Sequence, residues 1–467
     1  MIKSKNMKKI RLLFLGLAVA LLSACSNDAE TYEEGSIPDH SDGTEAFATF
    51  KIKIPAGIPS KAVTSKATDQ GIPAEYDVKT LHIFIYDSVS PHTPTVKSFS
   101  ITDNTLQKET ETVWKTATPI KTLKASKYIF AGVNLTPAIV NDITGKGFGA
   151  FNYKEFPQQV SDLASATNGF VMFNTAYPAV IRAEALPASP EAAGATPITI
   201  PVSRVVAKAA AFEGPDFVVN GGGKMRNLTY GWRNINKQFY FIQKIENGIV
   251  KDYNWDSYNA NDFVRGTDTL AFNAAGSTPT EFSYALENAL NFVEGTSQMD
   301  QATFLSIRGQ FQPDTIIQVT PGKTPQTGAD FESIANPNDY GTFYVVRTDD
   351  GIINYFISSD DAQQFANLCI QGAAGLPALS GVYDLAANTY TNGLCYYHVL
   401  VNNNAVAPYS IYGVYRNQYY QLTVNSIQAP GNPNDNFDKG EIIRPSTWVS
   451  VDIAVQDWEI IEDNVDL

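Results

Sequence analysis

The sequence is poor in the residue types that most often carry out catalysis or bind metals. Of its 467 residues only four are histidines, and none lies at metal-ligand spacing from a second ligand. They are His40, His82, His92 and His398. His82 and His398 fall inside strand-like patterns, which predicts structural roles. No G-x-S-x-G motif and no patterned pair of carboxylates is present. We therefore expect a protein that is not an enzyme, holds no cofactor and binds no metal.

Two local patterns resemble ligand-binding loops, but each lacks a required residue. Gly221-Gly222-Gly223-Lys224 has neither the first glycine of a P-loop nor a Ser or Thr after the lysine, which indicates a turn. Residues 434–441 space their oxygens like the start of a calcium loop, yet Lys439 stands where that loop needs glycine. We interpret residues 434–441 as a solvated linker.

Long hydrophobic runs are also missing. The longest, residues 12–22, is about half of what a bilayer-spanning helix needs. Basic residues precede it, and it ends in Leu22-Ser23-Ala24-Cys25, the pattern of a secretory signal with a lipobox. We expect cleavage between Ala24 and Cys25 and acylation of Cys25, which would anchor the chain in lipid. The alternative is an ordinary signal peptide in which this cysteine occurs by chance.

Positive charge is scarce as well. The formal net charge is -14, and removing residues 1–24 takes away five positive charges, which leaves about -19. This charge disfavours nucleic-acid binding. Residues 25–45 are acidic and nearly free of apolar side chains, which predicts a disordered tether. Cys369 and Cys395 are too few for a disulfide framework and could either pair or remain free.

Strand-forming residues, in contrast, are abundant. Aromatic residues make up 12% of the chain, and period-2 or compact β-rich runs recur between turn residues. The predicted strands cover 46–54, 80–87, 127–134, 198–212, 237–245, 341–347, 354–358, 395–402, 418–427 and 448–455. Helical spacing is confined to short pieces such as 359–371. We expect an all-β chain with one domain over 46–205, a second over 206–467, and a loop-rich insertion at about 246–340 in the second.

The first predicted strand is followed by a loop that a protease could cut. Along this strand the apolar residues alternate with Thr49, Lys51 and Lys53. These apolar residues are Ala48, Phe50, Ile52 and Ile54. The loop within 55–77 offers Lys61 and Lys66 to a trypsin-like protease. A cut there would free the strand and open a groove that accepts a strand from another chain.

The opposite end of the chain carries a second strand of the same kind. Its apolar residues are Val449, Val451, Ile453 and Val455, and polar residues alternate with them. The preceding segment, 427–445, is rich in Pro, Gly, Asn and Asp, and we predict that it can detach the strand from the body. This strand could pair within its own domain or reach another subunit.

These features resemble the fimbrillin family of Bacteroidales, the type V pilins, and within it the short-fimbria stalk subunits. The resemblance lies in the lipobox, the first strand and its basic loop, KYIFAGVN, VSRVVAK with Arg204 and Lys208, CYYHVLVN, and the ending VDIAVQDW. It implies two transthyretin-like β-sandwiches, removal of the first strand by proteolysis, and donor-strand exchange through the C-terminal strand, 446–467. Relatives are cut after arginine whereas this loop has only lysines, which leaves the bond and the protease open.

The resemblance also implies partners and a location. The partners are other copies of the chain, related anchor and tip subunits, outer-membrane lipid before maturation, the maturation protease, and a host or bacterial receptor. The location is the outer membrane for the lipoprotein precursor and then a cell-surface fimbrium that supports adhesion. The alternative is a monomeric, surface-anchored lipoprotein that binds a glycan or another ligand. A stalk subunit would begin just after Lys61 or Lys66, whereas the alternative would keep acylated Cys25.

Overall fold

The computed structural model describes residues 43–54, 72–87, 94–148, 155–157, 160–175, 179–401, 405–437, 439–443 and 449–457. Ala24, Cys25, Lys61 and Lys66 lie outside these residues. Within them, strands dominate and the helices are short, which confirms the predicted all-β class. None of the helices in these ranges is long and apolar enough to cross a membrane.

The strands up to residue 204 mostly join one sheet. They are β1 (Glu45–Ala48), β2 (Phe50–Lys53), β3 (Thr80–Asp87), β4 (Thr95–Ser100), β5 (Leu106–Lys108), β6 (Val113–Thr116), β7 (Ile120–Leu123), β8 (Lys127–Val133), β9 (Glu155–Pro157), β10 (Ala164–Ser165), β11 (Gly169–Phe170), β12 (Met172–Asn174), β13 (Ala179–Ile181) and β14 (Ile198–Arg204). The nine-stranded sheet runs β4-β3-β8-β12-β14-β2-β6-β5, and β13 also pairs with β8. All residues of β8 are buried, as expected for an interior strand with both faces covered.

The strands from residue 206 onward form two four-stranded sheets and several small ones. They are β15 (Val206–Val219), β16 (Gly223–Arg233), β17 (Ile235–Asn236), β18 (Gln238–Tyr240), β19 (Lys244–Glu246), β20 (Ile249–Lys251), β21 (Phe263–Val264), β22 (Leu270–Ala271), β23 (Ser283–Leu286), β24 (Phe304–Pro313), β25 (Thr315–Val319), β26 (Phe331–Ala335), β27 (Phe343–Arg347), β28 (Ile353–Phe356), β29 (Thr389–Tyr390), β30 (Leu394–Val399), β31 (Gln418–Ile427) and β32 (Val449–Asp457). The sheets run β23-β15-β31-β32 and β22-β16-β24-β30. The turn predicted at 221–224 is shorter than expected: residues 221–222 lie between β15 and β16, whereas Gly223 and Lys224 already belong to β16.

The two four-stranded sheets share one apolar core. Ala209 and Leu422 come from the first sheet and Tyr230 and Ile307 from the second, and all four are buried in a single cluster. Alternating residues of each strand therefore face the other sheet, which is the packing of a β-sandwich. A second cluster covers the nine-stranded sheet and includes Val206 and Tyr419. Apolar contact thus continues across residue 205.

Four helices are present in the described ranges: α1 (Pro137–Thr144), α2 (Val160–Leu163), α3 (Pro190–Ala195) and α4 (Ser359–Ile370). The helical spacing at 359–371 is confirmed by α4. The Ser358 side chain accepts a hydrogen bond from the Asp361 amide at its start, which caps the helix. Phe365 and Cys369 are on its buried face, against Val346 and Phe356 of β27 and β28.

The segment predicted as a loop-rich insertion, 246–340, is more ordered than the sequence indicated. It contains β24, a ten-residue strand that pairs with β16 on one side and β30 on the other. The period-2 pattern of this strand is interrupted at Gly309, where an added Cβ would lie 2.6 Å from the Met225 Sδ. A larger side chain at this position would require the Met225 side chain to shift, so glycine stands where the sequence pattern needs an apolar side chain.

Candidate assembly site

The predicted first strand lies inside a sheet and is divided into two pieces. Ala48 belongs to β1, which pairs with β7, whereas Phe50 and Ile52 belong to β2. β2 lies between β14, which is parallel to it, and β6, which is antiparallel. Ile54 follows β2, and its amide donates a hydrogen bond to the Thr112 carbonyl at 2.9 Å.

The apolar side chains of this strand are all in the core. Phe50, Ile52 and Ile54 are 0% exposed and Ala48 is 3% exposed. In the register, Ile52 stands opposite Ile200 of β14 and Trp114 of β6. Burial of one Phe and two Ile contributes on the order of 5–9 kcal/mol gross. Loss of the strand would expose this apolar surface together with the paired edges of β14 and β6.

The predicted C-terminal strand is an edge strand. β32 pairs antiparallel with β31 and with no other strand of the described residues. Its four alternate positions stand opposite buried residues of β31: Val449 faces Ile427, Val451 faces Val424, Ile453 faces Leu422, and Val455 faces Tyr420. A strand in this position uses only one of its two hydrogen-bonding edges.

The chain leading to β32 is attached to the body, which corrects one interpretation from the sequence: 427–445 is not free along its length. Asn434, Asn436 and residues 439–441 are exposed, as predicted for a solvated linker, but this stretch is held to the body at Asp435. Asn432 and Tyr396 exchange backbone hydrogen bonds of 2.7 and 2.8 Å. The Ile443 amide donates to the Ser297 carbonyl at 2.8 Å, and its side chain is 5% exposed. The chain is therefore attached to the body at least as far as Ile443.

Asp435 is the main polar attachment of this segment. Its carboxylate accepts hydrogen bonds from the Arg233 Nε at 2.7 Å and the Ser306 Oγ at 2.5 Å, while the Arg265 Nη2 lies 3.0 Å away. The His398 Nε2 lies 3.4 Å from it. Burial raises the pKa of Asp435, but the contacts with His398, Ser306 and Arg233 outweigh burial and hold that pKa well below its usual range.

A second buried polar cluster lies where the two halves of the chain meet. Glu75, in the 3-10 turn Pro73–Glu75, is 0% exposed, as are Arg204 and Lys208. The Lys208 Nζ donates to the Glu75 Oε2 at 2.8 Å, and the Tyr284 hydroxyl donates to Oε1 at 2.9 Å. The Arg204 Nε donates to the Glu75 carbonyl at 2.9 Å. Desolvation lowers the pKa of Arg204, and the charge of Glu75 opposes that shift.

Sequence reasoning named Arg204 and Lys208 but missed Glu75 and Asp435. Arg204 and Lys208 lie in a predicted strand that is otherwise mostly apolar. This pattern could have indicated a buried acidic partner, because buried cations need a counter-charge. The sequence could not tell which acid supplies it, since Glu75 lies 133 positions from Lys208. Asp435 is 202 positions from Arg233 and lies among Asn, Pro and Gly residues that are typical of linkers.

The remaining cysteine and histidine candidates among the described residues are buried or hydrogen-bonded to neighbouring side chains. Cys369 and Cys395 are free and buried, and burial raises the pKa of both thiols to about 11. The His82 Nδ1 lies 2.9 Å from the Ser98 Oγ, and burial lowers the pKa of His82. In the part of the chain that the structure describes, no group of three or more His, Cys, Asp or Glu could hold a metal ion.

The fold and this site define an all-β protein. An apolar strand near its amino terminus, β2, lies in the middle of one sheet, and β32, near the carboxyl terminus, lies at the edge of another. Residues 388–464 match the family described as major fimbrial subunit protein type IV, fimbrillin, C-terminal. That match spans β30, β31, the Asp435 segment and β32. The resemblance to fimbrillins is thereby confirmed, and the family match covers residues 388–464, a segment within the C-terminal third of the chain.

Several solved structures are similar over most of the chain. The fimbrilin FimA of Porphyromonas gingivalis is 16% identical, with a TM-score of 0.45 over 90% of this chain and 99% of that one. The tip fimbrial protein Mfa3 of the same organism is 12% identical, with a TM-score of 0.39 over 89% and 100%. A fimbrial assembly protein of Parabacteroides distasonis is 12% identical, with a TM-score of 0.31 over 63% and 86%. No curated protein sequence matches the chain significantly.

Proposed function

We propose that this chain is a structural subunit of a cell-surface fimbria. It is exported as a lipoprotein through Cys25, matured by cleavage after Lys61 or Lys66, and polymerised by donor-strand exchange. The family match supports the subunit role and favours a structural over an enzymatic one. The presence of a C-terminal strand favours a stalk subunit, because a subunit at the tip needs no donor.

The observation that carries this proposal is the unequal placement of the two terminal strands. Among the residues that the structure describes, β2 has a neighbouring strand on both edges, whereas β32 has one. A β32 strand that enters the slot vacated by β2 of a second subunit would gain a second ladder of backbone hydrogen bonds. Four aliphatic side chains in that slot would contribute about 6–12 kcal/mol gross. Such head-to-tail contact does not close on itself, so it produces a filament.

Two domains fit this mechanism, one over 46–205 that accepts the donor and one over 206–467 that supplies it. The first would contain the strand and cleavage loop at 46–77, and the second the donor region at 446–467. The change from the nine-stranded sheet to the two four-stranded sheets occurs at Val205, between β14 and β15. This placement supports the proposed boundary.

The test is replacement of both candidate cleavage residues. We expect Lys61→Gln with Lys66→Gln to leave the first strand in place and to yield a lipid-anchored monomer. Lys97→Gln with Lys224→Gln, at two exposed lysines in strands, is the matched control and should polymerise normally. Electron microscopy of cells and N-terminal sequencing of sheared material measure the outcome. Normal fibres from the Lys61 and Lys66 variant would contradict cleavage at these residues.

A monomeric ligand-binding lipoprotein is the competing outcome of the same experiment. That protein would give no filaments from either variant or from the unmodified chain. Its surface form would retain acylated Cys25 at the amino terminus. A stalk subunit, in contrast, should be recovered in filaments that begin within the loop.

A further inference from the structure

The segment that follows the proposed cleavage loop is held by a buried ion pair. Glu75 lies three residues after Ile72, which is the first residue that the structure describes after the loop. Both of its carboxylate oxygens accept hydrogen bonds, one from Lys208 and one from Tyr284. Neither Glu75 nor Lys208 has any exposed side-chain surface. This short segment is therefore fixed by a fully desolvated charge pair.

The partners of Glu75 come from both halves of the chain. Arg204 ends β14, whereas Lys208 lies in β15 and Tyr284 in β23. The Arg204 guanidinium lies 4.6 Å from the centre of the Tyr76 ring, which adds a cation-π contact to the same segment. Residues 75 and 76 consequently contact the junction between the nine-stranded sheet and the first four-stranded sheet.

Aromatic rings surround the cation of this pair. The Lys208 Nζ lies 4.1 Å from the centre of the Phe282 ring and 4.6 Å from that of Tyr419. Aromatic faces attract a cation but cannot replace a carboxylate acceptor. Loss of the Glu75 side chain would leave Lys208 buried without its counter-charge, which is strongly unfavourable. The ion pair therefore gives the local chain a strong preference for this one position.

In the uncut chain, residues 72–78 are restrained from both directions. β2 holds the chain upstream of the loop, and β3 holds it downstream. On the downstream side the Asn134 Nδ2 also donates to the Asp77 carbonyl at 2.7 Å. A cut within 55–71 removes the connection to β2 and places 72–76 close to a new chain end, and chain ends fray unless something holds them.

We propose that Glu75 is the anchor that retains the new amino-terminal segment on the body after the loop is cut. This inference rests on the proposed maturation by proteolysis. With the anchor in place, release of β1 and β2 opens the slot without loosening the junction beneath it. Without the anchor, residues 72–76 of the cut chain would detach and would expose Arg204 and Lys208.

The experiment compares cut and uncut forms of the same protein. A specific protease recognition sequence replaces part of 55–71 in the chain that begins at Ser26, and hydrogen exchange is measured over 72–79. Glu75→Gln removes the charge but keeps the size of the side chain. Glu111→Gln is the control, since the Glu111 side chain is 80% exposed. If Glu75→Gln fails to fold, Tyr284→Phe removes only one of the two hydrogen bonds to the carboxylate.

We expect the parent protein and the Glu111→Gln control to keep protection over 72–79 after the cut. The Glu75→Gln variant should keep protection when uncut and lose about tenfold or more after the cut, because a hydrogen bond to a charged group is lost from a chain end. The Tyr284→Phe variant should show a smaller loss in the same direction. The inference is overturned if the parent loses protection on cutting as much as the variant does, or if the variant loses it equally in the uncut form.

This measurement uses an engineered cut in a monomer, so it does not depend on fibre formation. A failure of the anchor would leave the donor-strand proposal untouched. A failure of the proposed function would appear elsewhere, as fibres whose subunits still contain residues 46–54.

Discussion

Because the first strand is buried, we predict that a substitution at Ile52 lowers the stability of the precursor but not that of the fibre. The Ile52 side chain is 0% exposed and lies between β14 and β6. We expect Ile52→Ala to remove apolar contacts and leave a cavity, which lowers the free energy of unfolding of the precursor by about 2–5 kcal/mol. The mature subunit would lack residue 52, so fibres from this variant should have unchanged stability.

Urea unfolding of the uncut chain from Ser26 measures the first effect, and thermal dissociation of purified fibres measures the second. Lys53→Ala is the control, because Lys53 lies on the same strand with an exposed side chain. It should change the free energy of unfolding by no more than about 0.5 kcal/mol. Fibres that contain residue 52, or that dissociate more readily in the Ile52→Ala variant, would refute removal of this strand. An unchanged precursor would refute its packing role.

The remaining predictions concern export, the donor strand and the Asp435 attachment. Cys25→Ala should block lipidation and outer-membrane delivery, and recovery of normally assembled surface protein from that variant would argue against the lipoprotein route. Ile453→Asp should abolish fibre formation while the monomer stays folded, whereas Asp452→Asn should do little; a sharp fall in the melting temperature of the Ile453→Asp monomer would instead indicate that the pairing of β32 with β31 is required for the fold of its own domain. Asp435→Asn should lower the free energy of unfolding by about 3 kcal/mol at pH 7, because Arg233 loses a buried charge partner. The folded-state pKa of Asp435 lies below the unfolded value of about 3.9, so its stabilisation is present above that pH and is lost as the pH falls through the folded-state pKa. Above about pH 4 the two proteins should show parallel pH dependence, whereas below about pH 3.9 the stability of the parent should fall more steeply than that of Asp435→Asn; parallel curves below that pH as well would contradict the role given to this ion pair.

The local sequence was sufficient to identify ten strand-rich segments and the longest helix, although the described residues contain 32 strands and many of the short ones were not predicted. The prediction for 80–87 matches β3, that for 418–427 matches β31, and α4 lies within the predicted 359–371. Alternation of apolar residues and a Ser cap are properties of a few adjacent residues, so they can be read without knowledge of the fold. β24 was missed because Gly309 interrupts its alternation, and the side chain that packs over this glycine, that of Met225, comes from the neighbouring strand.

What the sequence determined by itself was therefore the β class, the two apolar terminal strands and the resemblance to fimbrillins. The tertiary structure decided which strand is interior and which is at an edge, because a strand's neighbours come from distant parts of the chain. It also paired Glu75 with Lys208 and Asp435 with Arg233. Two charged side chains form a buried pair when folding excludes water from around both of them. This exclusion cannot be inferred from the spacing of the residues along the chain.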